Sequence, residues 1–93
     1  MFERIQKRFR EKIRSRQYIM THHARKEMVD DALTIYDVEY GILTGKIIER
    51  QKDRITAEKK YRMRGKTLEN DTVEVLAKSG LTGKSVIITV HKL

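Results

Sequence analysis

The spacing of apolar residues changes at Lys46, and this change constrains the fold more than any other feature of the 93-residue chain. Before Lys46, apolar side chains such as Ile5 and Phe9 recur every three or four residues, which is the period of an amphipathic helix. After it, apolar residues such as Tyr61 and Met63 alternate with polar ones, which is the period of a strand. Helices followed by strands predict an α+β fold in which the helices pack on an antiparallel sheet.

The length fits a single domain over residues 1–93. We expect three parts: a basic amphipathic helix over residues 1–16, a helical pair over residues 21–44, and an antiparallel sheet of three or four strands over residues 46–92. The last strand, from Ser85 to His91, is apolar on both faces along most of its length, so it is predicted to be central or covered.

The second helix is predicted from Thr21, a favourable N-cap residue, to about Leu33. Ala24, Met28 and Ala32 repeat every fourth residue and are expected to face the core. The spacing thus predicts one helix that carries its small apolar residues on a single side.

The third helix and the second strand have their own local signals. Thr34 and Asp37 have the spacing of a capping box, and Gly45 is expected just past the end of this helix. In the strand that contains Tyr61, the alternation slips by one residue before Leu68. Gly65 lies between Met63 and Leu68, and a β-bulge at this glycine is predicted to account for the slip.

The net charge is strongly basic and unevenly distributed. The chain has 21 Lys and Arg against 13 Asp and Glu, a formal charge of +8. Residues 1–16 have a balance of +5, residues 17–45 a balance of −3, and residues 46–93 a balance of +6. Basic surfaces attract phosphate backbones, so RNA is the first partner to consider.

Composition excludes several classes of protein. Without cysteine, disulfides and Cys-ligated zinc sites are ruled out. No apolar run approaches about 18 residues and no signal-peptide pattern is present, so we expect a cytoplasmic protein without membrane partners. The basic first helix leaves three interpretations open: a solvated face over a packed stripe, a nucleic-acid contact, or a helix on a membrane surface.

The two histidines at the start of the second helix are candidates for proton transfer. Glu27 follows His23 by four residues and favours the imidazolium, while the helix N-terminus disfavours it. Such opposing effects suit a general acid or base near neutral pH, although a surface histidine with a local hydrogen bond has the same pattern. Adjacent residues such as His22 and His23 diverge by about 100° on a helix, so we expect no metal site and no cofactor.

The cations of the second strand are candidates for phosphate binding. Lys60, Arg62 and Arg64 are predicted to share one strand face, with Lys66 beyond the bulge. Arg62 and Lys66 are expected to clamp the phosphoryl group during catalysis, although a solvated strand face explains the same residues. Further nucleic-acid contacts are predicted at Lys60, Arg64, Arg25 and Arg8.

His91, near the end of the last strand, completes a set suited to RNA cleavage without a metal ion. This reaction needs a base for the 2′-hydroxyl, cations for the phosphoryl group and an acid for the leaving oxygen. We expect His23 and His91 to share the proton transfers. The alternatives are a non-catalytic nucleic-acid-binding or regulatory module, and an interaction domain whose basic face docks an acidic partner. If the cations form ion pairs with the carboxylates of residues 17–45, the acidic middle third of the chain, the interaction domain is favoured.

Several short motifs resemble a bacterial family, the domain of unknown function 4258, over roughly residues 15–91. The similar positions are His23-Ala24 with Met28, Leu33-Thr34, Asp37-Val38-Glu39, Gly45-Lys46-Ile47-Ile48-Glu49, Tyr61, Gly65-Lys66-Thr67-Leu68 and Ile87-Ile88-Thr89-Val90-His91. The resemblance implies a RelE-like ribonuclease fold, a toxin role and a cognate antitoxin of the zinc-finger YgiT/MqsA type.

The resemblance also bears on individual residues. His23 matches the helix histidine of the family, and Lys66 follows the glycine of the second-strand motif. The chain departs from the family at two positions. His91 stands where relatives often have an aromatic residue such as tyrosine, and Glu27 stands where they often have Arg or Gln.

Overall fold

The computed structural model describes all 93 residues and contains three helices and five strands. In chain order the elements are α1 (Glu3–Arg14), β1 (Tyr18–Met20), α2 (His22–Asp30), α3 (Ile35–Thr44), β2 (Lys46–Lys52), β3 (Lys59–Lys66), β4 (Thr72–Ser79) and β5 (Ser85–Lys92). The predicted α+β class and the three helices are confirmed. The longest helix has 12 residues, and none is long and apolar enough to cross a membrane.

The strands form one mixed sheet in the order β1-β5-β4-β3-β2. Neighbours from β2 to β5 are antiparallel, as predicted, but β1 lies parallel to β5. The expectation of a purely antiparallel sheet with three or four strands is therefore wrong. β1 has only three residues, too few to show a period of two, and its partner strand lies at the opposite end of the chain.

All three helices pack on the same face of the sheet and bury its apolar side chains. Met63, Val75 and Ile87 point from three strands into this core. Phe9 of α1 packs edge-on against Tyr61, with ring centroids 5.8 Å apart. The opposite face has no helix over it, and we refer to it as the open face.

The second helix ends earlier than its apolar spacing predicts. Thr21 caps α2 as expected, since its Oγ1 accepts a hydrogen bond from the N–H of Ala24. The helix stops at Asp30, and Ala32 lies beyond it with a φ of 54° and an exposed side chain. The predicted end near Leu33 and the core position of Ala32 are therefore wrong. Leu33 is buried, so the chain turns at Ala32 to place the leucine in the core.

The predicted capping box of α3 is present. Thr34 Oγ1 accepts from the Asp37 N–H at 3.2 Å, and Asp37 Oδ2 accepts from the Thr34 N–H at 2.9 Å. The other carboxylate oxygen of Asp37 accepts from the N–H of Leu68 at 3.1 Å. One buried carboxylate therefore starts the helix and also fixes the loop between β3 and β4.

The predicted bulge at Gly65 is absent, because β3 pairs with β4 without a break. The alternation continues to Thr67, which is buried, while Leu68 is exposed. The register shifts lie elsewhere, in β2, where Ile48 is the extra residue, and in β5, where Ile88 is. Gly65 has a different role, since a Cβ there would lie 1.9 Å from the carbonyl oxygen of Gly41. The glycine therefore allows α3 to approach the sheet closely.

Candidate functional site

A cluster of charged side chains on the open face is centred on Glu74 of β4. Arg64 donates to Glu74 Oε2 from Nη2 at 2.6 Å and from Nε at 2.9 Å. Arg62 Nη1 lies 3.7 Å from Glu74 Oε1, and His91 Nε2 lies 3.6 Å from the same oxygen. We refer to Arg62, Arg64, Glu74 and His91 as the Glu74 cluster.

Strand register builds this cluster from three separate parts of the chain. Arg64 of β3 lies opposite Glu74, and Glu74 lies opposite His91 of β5. Side chains alternate between the two faces of a strand, so Val73 and Val75 point into the core while Glu74 points to the open face. Directly opposite side chains on adjacent strands lie within contact distance.

Burial of the central carboxylate sets the electrostatics. The Glu74 side chain is only 5 % exposed, whereas Arg64 and His91 are about half exposed and Arg62 is 37 % exposed. A buried carboxylate is stable only when it is paired and hydrogen bonded, and the two guanidinium groups meet that requirement. The Nε of Arg62 is buried without a hydrogen-bond partner. The cluster therefore has a negative centre and a cationic rim that faces solvent.

Glu49 extends the cluster towards the β2 edge. It accepts hydrogen bonds from Arg62 Nη2 and, at 2.8 Å, from Gln51 Nε2. The hydrogen bonds from Gln51 and Arg62 lower the pKa of Glu49 below its ordinary value. Arg62 is therefore shared between two carboxylates, whereas Arg64 interacts with Glu74 alone.

Next to Arg64 lies a hollow of about 370 Å³ that we refer to as the cationic cleft. Lys46, Arg64 and Lys66 line it together with Thr44 and Thr72, and no carboxylate does. Lys66 Nζ donates to Thr72 Oγ1 at 3.0 Å. Neither lysine has a carboxylate within ion-pair distance. The predicted clamp residue Lys66 thus lies beside the Glu74 cluster, in a cleft with free positive charge.

His23 lies apart from this cluster, in the first turn of α2 and 67 % exposed. Its Nε2 is 3.4 Å from Glu27 Oε1, which also accepts the N–H of Val90 at 3.1 Å. His91 is the next residue in the strand, but its imidazole is on the open face beside Glu74. The two predicted histidines therefore contact different carboxylates, and Glu27 has a structural hydrogen bond. No three His, Asp or Glu side chains are arranged to hold a metal ion.

The remaining predicted contacts are spread over the molecule. Lys60 is partly buried at the opposite end of β3 from Lys66. Arg8 is exposed on α1, and Arg25 is exposed on α2, beside a groove at the β1 edge. The structure therefore brings Arg62, Arg64, Lys66 and His91 together. Lys60, Arg8 and Arg25 lie outside that region.

The acidic middle third does not neutralise the basic residues. The partners of the cluster arginines are Glu49 and Glu74, both outside residues 17–45. None of the seven Lys and Arg of residues 1–16 has a carboxylate within ion-pair distance. Free positive charge therefore remains on α1 and in the cationic cleft.

Glu74 is the one cluster residue that the sequence analysis does not predict. Its signal is a single acidic residue between Val73 and Val75, in a strand otherwise rich in apolar residues. An acidic side chain at such a position can face solvent, and it needs a cationic partner only when it is buried. Glu74 is identified as part of the cluster because it lies directly opposite Arg64, and strand pairing of this kind is seen only in the folded sheet.

A family model described as Domain of unknown function (DUF4258) matches residues 20–92. No curated protein and no solved structure matches the chain. The matched segment contains α2, α3 and the four antiparallel strands, and it leaves α1 outside. The Glu74 cluster and the cationic cleft thus both lie within it. The chain belongs to the DUF4258 family.

Proposed function

We propose that this chain is a metal-independent endoribonuclease and that the Glu74 cluster is its catalytic centre. One observation carries the proposal: a buried carboxylate on an uncovered sheet face has an imidazole and two guanidinium groups around it. Carboxylate and imidazole are a general base and acid, and guanidinium groups bind phosphate in a bidentate manner. The basic charge and the adjacent cationic cleft support RNA as the substrate.

In the proposed reaction, Glu74 Oε1 accepts the proton of the ribose 2′-hydroxyl, and the 2′-oxygen forms a bond to the adjacent phosphorus. The imidazolium of His91 gives its proton to the 5′-oxygen as the phosphorus–oxygen bond breaks. The products are a 2′,3′-cyclic phosphate and a free 5′-hydroxyl, so atoms and charge balance without a metal ion.

The two arginines have a double role in this proposal. Arg62 and Arg64 donate to the non-bridging phosphate oxygens and stabilise the negative charge that gathers there. Their pairing with Glu74 weakens when phosphate takes the guanidinium groups, which leaves the carboxylate free to accept a proton. Arg64 is about half exposed and Arg62 is 37 % exposed, so a phosphate can reach both from solvent.

The proton transfers are assigned to Glu74 and His91 rather than to His23 and His91. His23 contacts Glu27, and that carboxylate is held by the N–H of Val90 at the sheet edge. A general acid or base must lie within hydrogen-bond reach of the reacting proton. The assignment of His91 is supported by its position beside the arginines, with Nε2 3.6 Å from Glu74 Oε1.

Cleavage of a labelled RNA by purified variants tests the centre. His91→Ala and Glu74→Gln are each expected to lower the cleavage rate by about 100-fold or more, which is typical of a lost general acid or base. His22→Ala is the matched control, because this exposed histidine makes no contact with the cluster, and it should change the rate less than two-fold. EDTA should not inhibit, and the products should carry 2′,3′-cyclic phosphate ends.

His23→Ala separates the two assignments. Loss of activity in His23→Ala with normal activity in Glu74→Gln would overturn the role of Glu74. Circular dichroism and thermal unfolding of each variant show whether a lost rate reflects a lost fold.

The proposed biological role is that of a toxin with a RelE-like fold, held inactive by a cognate antitoxin. Two observations support this role. The short motifs resemble the DUF4258 family, and the chain has an α+β fold with a cationic cleft. Induced expression in bacteria should arrest growth, and Glu74→Gln should relieve the arrest. Growth that is unaffected by the unaltered chain would contradict the toxin role while leaving cleavage to be judged in vitro.

A second candidate is a nucleic-acid-binding module without catalysis. The free cations of α1 and of the cationic cleft favour it, because they attract phosphate whether or not a bond is cut. RNA that binds and is never cleaved, with equal affinity for the unaltered chain and for His91→Ala, would identify this module.

A further inference from the structure

The β2 edge of the sheet is protected against pairing with another strand. Lys46, Arg50 and Lys52 place charges along it, and the bulge at Ile48 breaks its register. Charged side chains and bulges are the usual means by which proteins prevent edge-to-edge association. The β2 edge is therefore not expected to pair with a further strand.

The part of β5 that extends past β1 is also closed. Glu27 Oε1 accepts the N–H of Val90 at 3.1 Å, and Asp31 Oδ2 accepts the N–H of Lys92 at 2.8 Å. Thr21 Oγ1 donates to the carbonyl of Ile88 at 2.8 Å. Side chains of α2 and its cap thus occupy the hydrogen-bonding groups that a neighbouring strand would use.

β1 has none of these protections. Its three residues are Tyr18, Ile19 and Met20, without charge, proline or bulge, and Ile19 is 50 % exposed. β1 is bonded to β5 through the carbonyl of Gln17 and the N–H of Thr21. Because backbone groups of successive residues point to opposite sides of a strand, those of Tyr18 and Met20 point to the free side.

A groove of about 570 Å³ lies along this free edge. Met28, Val29 and Leu33 line it with β1, and Val29 is 79 % exposed. Its two charged lining residues are Arg16 and Arg25, neither of which has a carboxylate within ion-pair distance. An open strand edge, an apolar groove and two free guanidinium groups therefore occur together.

We propose that the β1 edge and its groove bind an extended, acidic segment of a partner protein, which joins the sheet as a sixth strand. Its backbone pairs with Tyr18 and Met20, its alternate apolar side chains enter the groove, and its carboxylates contact Arg16 and Arg25. Strand addition of this kind takes affinity from main-chain hydrogen bonds and specificity from alternate side chains.

Charge selects this occupant over a second copy of the chain. Two copies paired through β1 would bring the Arg16 and Arg25 pairs of both molecules together, in a chain of net charge +8. Like charges across an interface are unfavourable, whereas an acidic strand complements the two arginines. The proposal does not rest on RNA cleavage, because the groove is at the opposite sheet edge from the cationic cleft.

The probe is a fluorescent, terminally blocked peptide of alternating valine and glutamate, about ten residues long, measured by anisotropy against the full chain. Ile19→Lys and Val29→Lys should each abolish binding, and Arg16→Ala or Arg25→Ala should weaken it about five-fold. Ile48→Lys is the matched control, since this isoleucine is 44 % exposed at the protected edge, and it should bind normally.

Two further peptides complete the test. A peptide with lysine in place of glutamate should not bind, and one with alternate N-methylated amides should lose binding because its edge hydrogen bonds are removed. Equal binding of the lysine peptide, or equal loss in Ile48→Lys and Ile19→Lys, would overturn the proposal. A concentration-dependent dimer that Ile19→Lys dissolves would overturn it too, because the occupant would then be a second copy.

Discussion

At the scale of single residues, Asp37 connects two distant parts of the chain through one carboxylate. It closes the capping box with Thr34 and accepts the N–H of Leu68 from the loop after β3. The hydrogen bond from the Thr34 backbone lowers the pKa of Asp37 below its ordinary value of 3.8, and the bond from Leu68 acts in the same direction. The ionised carboxylate is therefore the form that stabilises the fold.

Asp37→Asn should lower the free energy of unfolding at pH 7 by about 2 kcal/mol, because a cap and a buried hydrogen bond are both weakened. A lowered pKa in the folded state contributes stability that is present above the ordinary value of 3.8 and lost as the pH falls through the folded value. The difference between variant and unaltered chain should therefore shrink in acid. Urea unfolding across this range checks the prediction, with the exposed Asp30→Asn as control; equal stability of the two variants would contradict it.

The candidate site was predictable where its signal is local. The strand alternation predicts that Arg62 and Arg64 share a face, and His91 is evident as a polar residue at the end of an apolar strand. Glu74 was not predictable, because its importance depends on lying opposite Arg64 and His91 in the folded sheet. The pairing of His23 with Glu27 is present, but the carboxylate also bonds to a strand that no local pattern connects with it.

At the scale of elements, local chemistry determined the helix boundaries and tertiary contacts determined the exceptions. Thr21 and Thr34 cap their helices because each hydroxyl accepts a nearby backbone N–H. β1 was missed because its partner strand is distant in sequence, and the bulge was misplaced because Gly65 reflects close packing rather than a slip in register. A glycine in a strand has several physical causes, and the sequence does not distinguish between them.

Gly65→Ala tests the close packing of α3 on the sheet. The added Cβ would lie 1.9 Å from the carbonyl oxygen of Gly41 and 2.9 Å from Gly45 Cα, so the helix must shift. We expect a loss of about 3 kcal/mol in the free energy of unfolding, at the upper end for overpacking. Gly83→Ala is the comparison, because nothing lies within 4 Å and only its φ of 86° is unfavourable; it should cost about 1 kcal/mol. Denaturant unfolding measures both, and a smaller loss for Gly65→Ala than for Gly83→Ala would contradict the packing argument.

At the scale of the whole molecule, two basic regions, the cations of α1 and the cationic cleft, lie on different sides of the sheet. They approach each other at the β2 edge. The cations of α1 lie on the helix-covered side, whereas the cationic cleft opens on the other. Lys46 lines the cleft and also a second hollow, of about 440 Å³, which is bounded by Phe2 just before α1 and by Gln6 of α1. The β2 edge therefore connects the two regions, and an RNA strand that leaves the cleft can follow positive charge onto α1.

Salt dependence of RNA binding tests this connection. Neutralised phosphates release counterions, so affinity should fall steeply with salt, and each lost phosphate contact should reduce the slope by about 1. Lys46→Ala should have this effect, and so should Lys7→Ala, because Lys7 shares the side of α1 on which Gln6 and Arg10 contact the start of β2. Arg25→Ala is the control at the opposite edge of the sheet and should leave the slope unchanged. Titration of a labelled RNA at several salt concentrations measures all three variants. An equal change in slope for Arg25→Ala would show that phosphate contacts are spread over the whole surface, and a flat response in the unaltered chain would remove nucleic acid as the partner.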